Sequence, residues 1–331
     1  MKVILHFVII LFTAGAFAQE GMISVNKVLK LMGTRFEITV VAPSETVGNG
    51  FIEEGIAEIT RIEKLISSWD AGSETTLINA NAGVAPVTVS QELFELIERA
   101  KKISEITDGA FDITFASMDS IWKFDGSMSY FPTNAAIKSS VSKVGSHNII
   151  LDKDKRTVFL KEKGVKIGFG AIGKGFAADK TKQLLISKGV TGGIINASGD
   201  LTTWGTKVTG EKWMVGITNP LDKTKVFSWL PVVESSVATS GNYEKYIVFD
   251  GIKYTHIIDP RTGYPISGVK SVTVFAKTAE LCDALATAVF IMGKESGLFM
   301  IDQMQGIEAL LVDENDKIYK SSGIQFDITD K

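Results

Sequence analysis

Gly168-Phe169-Gly170-Ala171-Ile172-Gly173-Lys174-Gly175 is the stretch on which the fold turns. Its glycines at 168, 170 and 173 fit G-x-G-x-x-G, and its end approaches G-x-x-x-x-G-K-[ST]. Either label would imply a doubly wound or P-loop α/β fold. Both fail on chemistry. No acidic residue stands about 20 positions on to hold a ribose, and Gly175 stands where a P-loop needs a hydroxyl for magnesium. What remains is a glycine-rich loop that opens a helix, with Lys174 in its first turn. Backbone N–H groups and an ammonium there suit a phosphate, and a glycine turn with a solvated lysine fits the same residues.

The neighbouring pattern has no β-α-β rhythm. Val25 to Ala42 alternates as strands broken at Met32-Gly33-Thr34, Ile52 to Trp69 has helical spacing, and a helix follows from a Ser90 cap to a stop at Gly109. Between these two helices lies the polar stretch SSWDAGSETTLINANAG. Val144 to Ile167 reads as two short strands joined by a charged turn at Asp152 to Arg156, and a third helix runs from about Lys174 to Lys188. Strands then dominate: 193–203, 212–217, 227–233, 246–249 and 270–275. The last helix, Ala279 to Met292, is bounded by Thr278 and Gly293, and a hairpin from Ala309 to Tyr319 closes the pattern. This order predicts a single α+β domain over residues 19–331, a mixed or antiparallel sheet with packed helices.

The first eighteen residues, MKVILHFVIILFTAGAFA, carry Lys2, an apolar run and the small-residue ending Ala16-Phe17-Ala18. That is the pattern of a secretory signal peptide cleaved after Ala18. No other run reads as a membrane span, so an exported, soluble mature protein is expected. With 35 Lys and Arg against 38 Asp and Glu there is no basic footprint, and a dedicated nucleic-acid role is excluded. The one cysteine, Cys282, rules out an internal disulfide and reads as a small core residue.

Within Leu281-Cys-Asp-Ala-Leu-Ala-Thr-Ala-Val-Phe-Ile-Met292, Asp283 and Thr287 are the strongly polar side chains, spaced i, i+4 on one face of a buried helix. A buried carboxylate needs a partner. Hard oxygen ligands for Mg²⁺ are one reading; an Asp paired with a distant Arg, with Thr bonding back to its own helix, is the other. In Thr255-His-Ile-Ile-Asp-Pro-Arg-Thr-Gly-Tyr-Pro-Ile266, Asp259, Pro260 and Gly263 account for a turn, and His256 is left over as a candidate general base. The other mature histidine, His147, reads as a surface residue, and two histidines exclude a histidine-rich zinc site. TDGAFDIT, with Phe111 and Asp112, and NASGDLTTWG, with Asn196 and Asp200, stand out by composition and also fit turn chemistry.

Taken in order, MGTRFEITV, SSWDAGSETTLIN, TDGAFD, GFGAIGKG, NASGD, ATSGNYEKY, THIIDPRTGYP and DALAT closely resemble the ApbE family of FAD:protein FMN transferases. The resemblance spans nearly the whole mature chain. It implies an α+β fold related to the tunnelling fold, FAD as substrate and Mg²⁺ as cofactor. It implies transfer of FMN through a phosphoester to a Thr or Ser of a target protein, with release of AMP. Such targets are subunits of membrane-bound, ion-pumping redox complexes, and some members hydrolyse FAD instead. By position, the resemblance assigns Asp283, Thr287 and the carbonyl of Ala171 to the metal, and His256 to deprotonation of the acceptor. It assigns Met32, Trp69, Ala110, Phe111, Asp112, Gly168, Lys174 and Ile257 to FAD. Three departures stand out: Gly168 replaces a common aspartate, Trp69 a common tyrosine, and Gln19 the lipobox cysteine of many relatives. A free periplasmic enzyme is therefore expected.

Overall fold

The structure is a computed structural model and describes residues 21–219, 222–232, 235–242 and 246–324. The signal-peptide segment 1–18, Val233, and 243–245 of the ATSGNYEKY block lie outside the described residues. Eight strands form one sheet whose spatial order is the chain order: Ile23–Leu31, Thr34–Ala42, Gly193–Ala197, Asp200–Trp204, Ser236–Gly241, Val269–Ala276, Glu308–Asp313 and Ile318–Lys320. Every pairing in it is antiparallel. The expected α+β class holds, and no parallel β-α-β unit is present among the described residues.

The stretch read as one strand over 193–203 is two, folded at Ser198-Gly199. The same kind of two-residue turn, with positive φ at both positions, occurs at Met32-Gly33. Such turns match the twist of antiparallel strands. Smaller β pieces flank the sheet: Val87–Thr88, Thr157–Leu160 and Ile149–Asp152 pair together, as do Tyr246–Phe249 with Ile252–Thr255, and Trp213–Asn219 with Asp222–Val232.

Among the described residues, six α-helices pack around this frame: α1 (Glu45–Ile66), α2 (Glu74–Ala80), α3 (Gln91–Ile106), α4 (Asn134–Ser140), α5 (Gly173–Ser187) and α6 (Ala279–Asp302). Helix α1 begins seven residues before the expected Ile52, at a Ser44 cap accepting from the Val47 N–H. Its early turns hid from apolar spacing because Gly48 lies where a Cβ would meet Val25 Cγ2 at 2.4 Å, so contact there is made by backbone instead of side chains. Helix α2 lies within the stretch read as a polar loop, capped by Ser73 Oγ.

Helix α6 is the central element, with Cys282, Ala284 to Ala286 and Ala288 to Phe290 fully buried. It is long and apolar enough to pass as a membrane span, contrary to the sequence expectation of none, yet half of it is buried against protein. Gly293 breaks it at φ 75°, as anticipated, but the chain then resumes helix to Asp302. Its N-terminus is not capped by the Thr278 side chain. Asp179 of α5 does this instead, accepting from the N–H groups of Ala279 (3.0 Å) and Glu280 (2.9 Å).

Burial pushes the Asp179 carboxyl up to about 6, against the two N–H bonds that favour its charge. The folded value lies above the ordinary 3.8, so the stability this group contributes is complete below pH 3.8 and lost as pH rises through about 6. Asp179→Ala should strand both N–H groups and cost on the order of 1–3 kcal/mol. The Tm gap between wild type and variant should be wider at pH 5 than at pH 7.5. A gap independent of pH in thermal melts would refute this account.

Candidate active site

The twelve residues that the resemblance assigns all line one cavity of about 1440 Å³: Met32, Trp69, Ala110, Phe111, Asp112, Gly168, Ala171, Lys174, His256, Ile257, Asp283 and Thr287. The volume exceeds the roughly 1,000 Å³ at the upper end of small-ligand pockets, which leaves room for a dinucleotide and an approaching chain. Met32 sits on the first two-residue turn, its N–H bonded to Glu63 Oε2 at 3.2 Å. Trp69, 94% exposed, lies past the end of α1 and offers an open aromatic face.

The glycine loop does not follow a strand, as expected from alternation, but an extended segment held by side chains. Asn79 of α2 grips both backbone groups of Ile167, donating to its carbonyl (3.0 Å) and accepting from its N–H (2.8 Å). Ser117 does the same at Lys166. The Gly168 N–H bonds Ile113 O at 2.9 Å, and a Cβ there would stand 3.1 Å from Ala116 Cβ. The loop then turns directly into α5, whose start carries no side-chain cap.

Gly175, the residue that broke the P-loop pattern, has a steric explanation. A Cβ there would lie 2.1 Å from the Ala279 carbonyl oxygen, so α5 and α6 touch backbone to backbone. The contact lets the Gly175 N–H reach Asp283 Oδ2 at 3.2 Å. Lys174 Nζ stands 3.3 Å from Asp283 Oδ1 and pairs closely with Asp200. The buried Asp283 therefore has a cationic partner, and it is Lys174 of α5 and not an arginine. Thr287 does not bond back to its own helix; its hydroxyl meets Ser240 Oγ at 3.2 Å.

Burial draws the Lys174 ammonium down, but the Asp283 and Asp200 carboxylates outweigh it and hold its pKa above the ordinary lysine value. Asp200 is driven upward, first by burial and then by the nearby Asp283 charge, with Lys174 opposing. Asp200, which stands out in the sequence by composition although turn chemistry also fits it, is thus a member of this cluster. The signal that could have found it is its place directly after Ser198-Gly199, which returns the strand to the cavity.

Two buried carboxylates and one ammonium leave a net negative charge. No group of three or more His, Cys, Asp or Glu stands together among the described residues. The Asp283 carboxylate, the Thr287 hydroxyl and the backbone of Ala171 line the same cavity, and such oxygen donors suit Mg²⁺, a hard ion that keeps water and phosphate ligands. The residues present therefore fit the metal that the resemblance implies.

Asp112 is differently employed. Its carboxylate accepts from Thr114 N–H (2.8 Å), Thr114 Oγ1 (2.6 Å), Ser104 Oγ (2.8 Å) and Ser146 N–H (2.8 Å). Four protein donors occupy it, so it fixes the Ala110-Phe111 wall and has little acceptor capacity left for a ligand. His256 follows strand Ile252–Thr255 and precedes a tight turn. In that turn the Asp259 carbonyl accepts from the Gly263 N–H (2.8 Å) and the Asp259 N–H donates to the Tyr264 carbonyl (2.9 Å), while its carboxylate accepts from the Arg261 guanidinium twice at 2.9 Å. The turn reading of this stretch holds. His147 is exposed, as expected.

A family model described as "ApbE family" matches residues 32–311. An FAD:protein FMN transferase of Klebsiella pneumoniae (strain 342) is 34% identical over 266 residues, covering 80% of this chain and 82% of that protein. One of Treponema pallidum (strain Nichols) is 32% identical over 288 residues, covering 82% and 80%. Among solved structures, the ApbE protein of Thermotoga maritima superposes with a TM-score of 0.81 at 32% identity, covering 90% of this chain and 97% of that one. The flavin transferase ApbE of Vibrio cholerae gives 0.81 at 26% identity, covering 91% and 98%.

Proposed function

The chain belongs to the ApbE family, and from that membership we propose that it is a Mg²⁺-dependent FAD:protein FMN transferase. The observation that carries the reading is one cavity lined by a lysine ammonium, an Asp/Thr pair on a buried helix, a histidine and an exposed aromatic face. Met32, Trp69, Ala110, Phe111 and Ile257 supply apolar walls for the rings of FAD, and Gly168 a close backbone approach. Lys174 and the uncapped N-terminus of α5 face its pyrophosphate.

His256 takes the proton of a Thr or Ser hydroxyl of the acceptor. The acceptor oxygen bonds to the FMN-side phosphorus, the bond from that phosphorus to the bridging oxygen breaks, and AMP departs with that oxygen. Lys174 offsets the charge that builds on the phosphates. Asp283, Thr287 and the carbonyl of Ala171 are the residues that would hold Mg²⁺, which would supply further charge neutralisation at the pyrophosphate.

The acceptor is a subunit of a membrane-bound, ion-pumping redox complex. The enzyme is exported by residues 1–18 and, with Gln19 in place of a lipobox cysteine, works as a free periplasmic protein. Incubating the mature protein with FAD, Mg²⁺ and such a subunit should release AMP and add the mass of FMN to the acceptor; EDTA should stop both. AMP with free FMN and an unmodified acceptor would identify a pyrophosphatase instead. No AMP under any condition would leave only a flavin-binding role.

A further inference from the structure

Asp200 is a buried carboxylate to which the reaction above gives no task. It opens strand Asp200–Trp204, is 3% exposed, and pairs with Lys174. Lys174 Nζ also stands 3.3 Å and 3.5 Å from the two oxygens of Asp283. One ammonium is shared between two carboxylates that come from a strand and from α6.

The two carboxylates are not equivalent. Asp283 has Thr287 one helical turn away on α6 and takes an N–H bond from Gly175, whereas Asp200 lies across the lysine from that pair. An ammonium held by Asp283 alone would compete directly with a metal ion, since both need the same oxygens. With Asp200 present, the lysine keeps a carboxylate partner when Asp283 is taken.

We propose that Asp200 is a positioning residue that retains Lys174, so that lysine and metal occupy neighbouring carboxylates instead of contending for Asp283. The inference rests on the reading of Asp283 as a metal ligand. It is tested with Mn²⁺ as the probe and no FAD present, by calorimetric titration of the full mature chain. Asp200→Asn should weaken Mn²⁺ at least tenfold in the wild-type background. In the Lys174→Met background, where no competing ammonium exists, the same change should weaken Mn²⁺ less than threefold. Asp200→Glu should stay within threefold of wild type.

Equal weakening in both backgrounds would show that Asp200 acts by its own charge and not through the lysine, and overturns the inference. No weakening in either overturns it as well. Wild-type protein that binds no more Mn²⁺ than Asp283→Ala would instead remove the metal reading and the inference with it. Thermal melts accompany each variant, and should the amide fail to fold, Asp200→Ser makes the same comparison.

Discussion

Gly175→Ser, the single change that would complete a G-x-x-x-x-G-K-[ST] pattern, should strongly destabilise the folded state instead of creating a nucleotide loop. The added Cβ would sit 2.1 Å from Ala279 O and 2.7 Å from Glu280 N, and both are backbone atoms at the start of the buried α6. No flexible side chain can swing aside. Relief requires α5 and α6 to part, which breaks the Gly175 N–H to Asp283 bond and the Asp179 bridge to Ala279 and Glu280. Overpacking alone costs about 1–3 kcal/mol, and each stranded buried donor adds about 1–3 more. A loss of at least about 4 kcal/mol is expected, or roughly 10 °C or more in Tm for a chain of this size. Gly175→Ala should do nearly the same, because the clash is with Cβ. A serine variant melting within 2 °C of wild type would refute this packing account.

The largest expected effect on chemistry is that of His256→Ala. Transfer should fall by about 10²–10⁴-fold, the range for a lost general base, while the Kd for FAD changes less than twofold. The backbone should hold its shape, because Thr255 N–H bonds Ile266 O at 3.1 Å and Ile266 N–H bonds Ile257 O at 2.9 Å, neither through the imidazole. Single-turnover mass spectrometry of the acceptor separates the chemical step from binding. Transfer at the wild-type rate would take His256 out of the mechanism. A loss confined to FAD affinity would make it a binding residue only.

Much of the site could be read before any coordinates. Asp283 and Thr287 stood out because a polar pair at i, i+4 in an otherwise apolar helix contradicts its surroundings. His256 stood out because the turn around it was already explained by Asp259, Pro260 and Gly263. What local pattern missed has a common cause. The start of α1 and the helix α2 make few of the spaced apolar contacts that periodicity detects, and the strands at 193–203 fold back through a turn of two residues with ordinary composition. Residues after Gly293 resume helix although a glycine at positive φ is also how helices end.

The sequence by itself determined the class of fold, the helix that forms its centre and the residue types available for phosphate, metal and proton, because these depend on periodicity and on side-chain chemistry. Tertiary structure alone decided who partners whom. That Asp283 meets Lys174 and not an arginine, that Asp179 caps a helix a hundred residues on, and that Gly175 must stay glycine follow from α5 and α6 touching backbone to backbone, and the strand at 200–204 brings Asp200 to the same lysine. Burial makes each of these pairings obligatory, since a charge or N–H removed from water must find its partner in the protein, and nothing in the local chain says which one lies within reach.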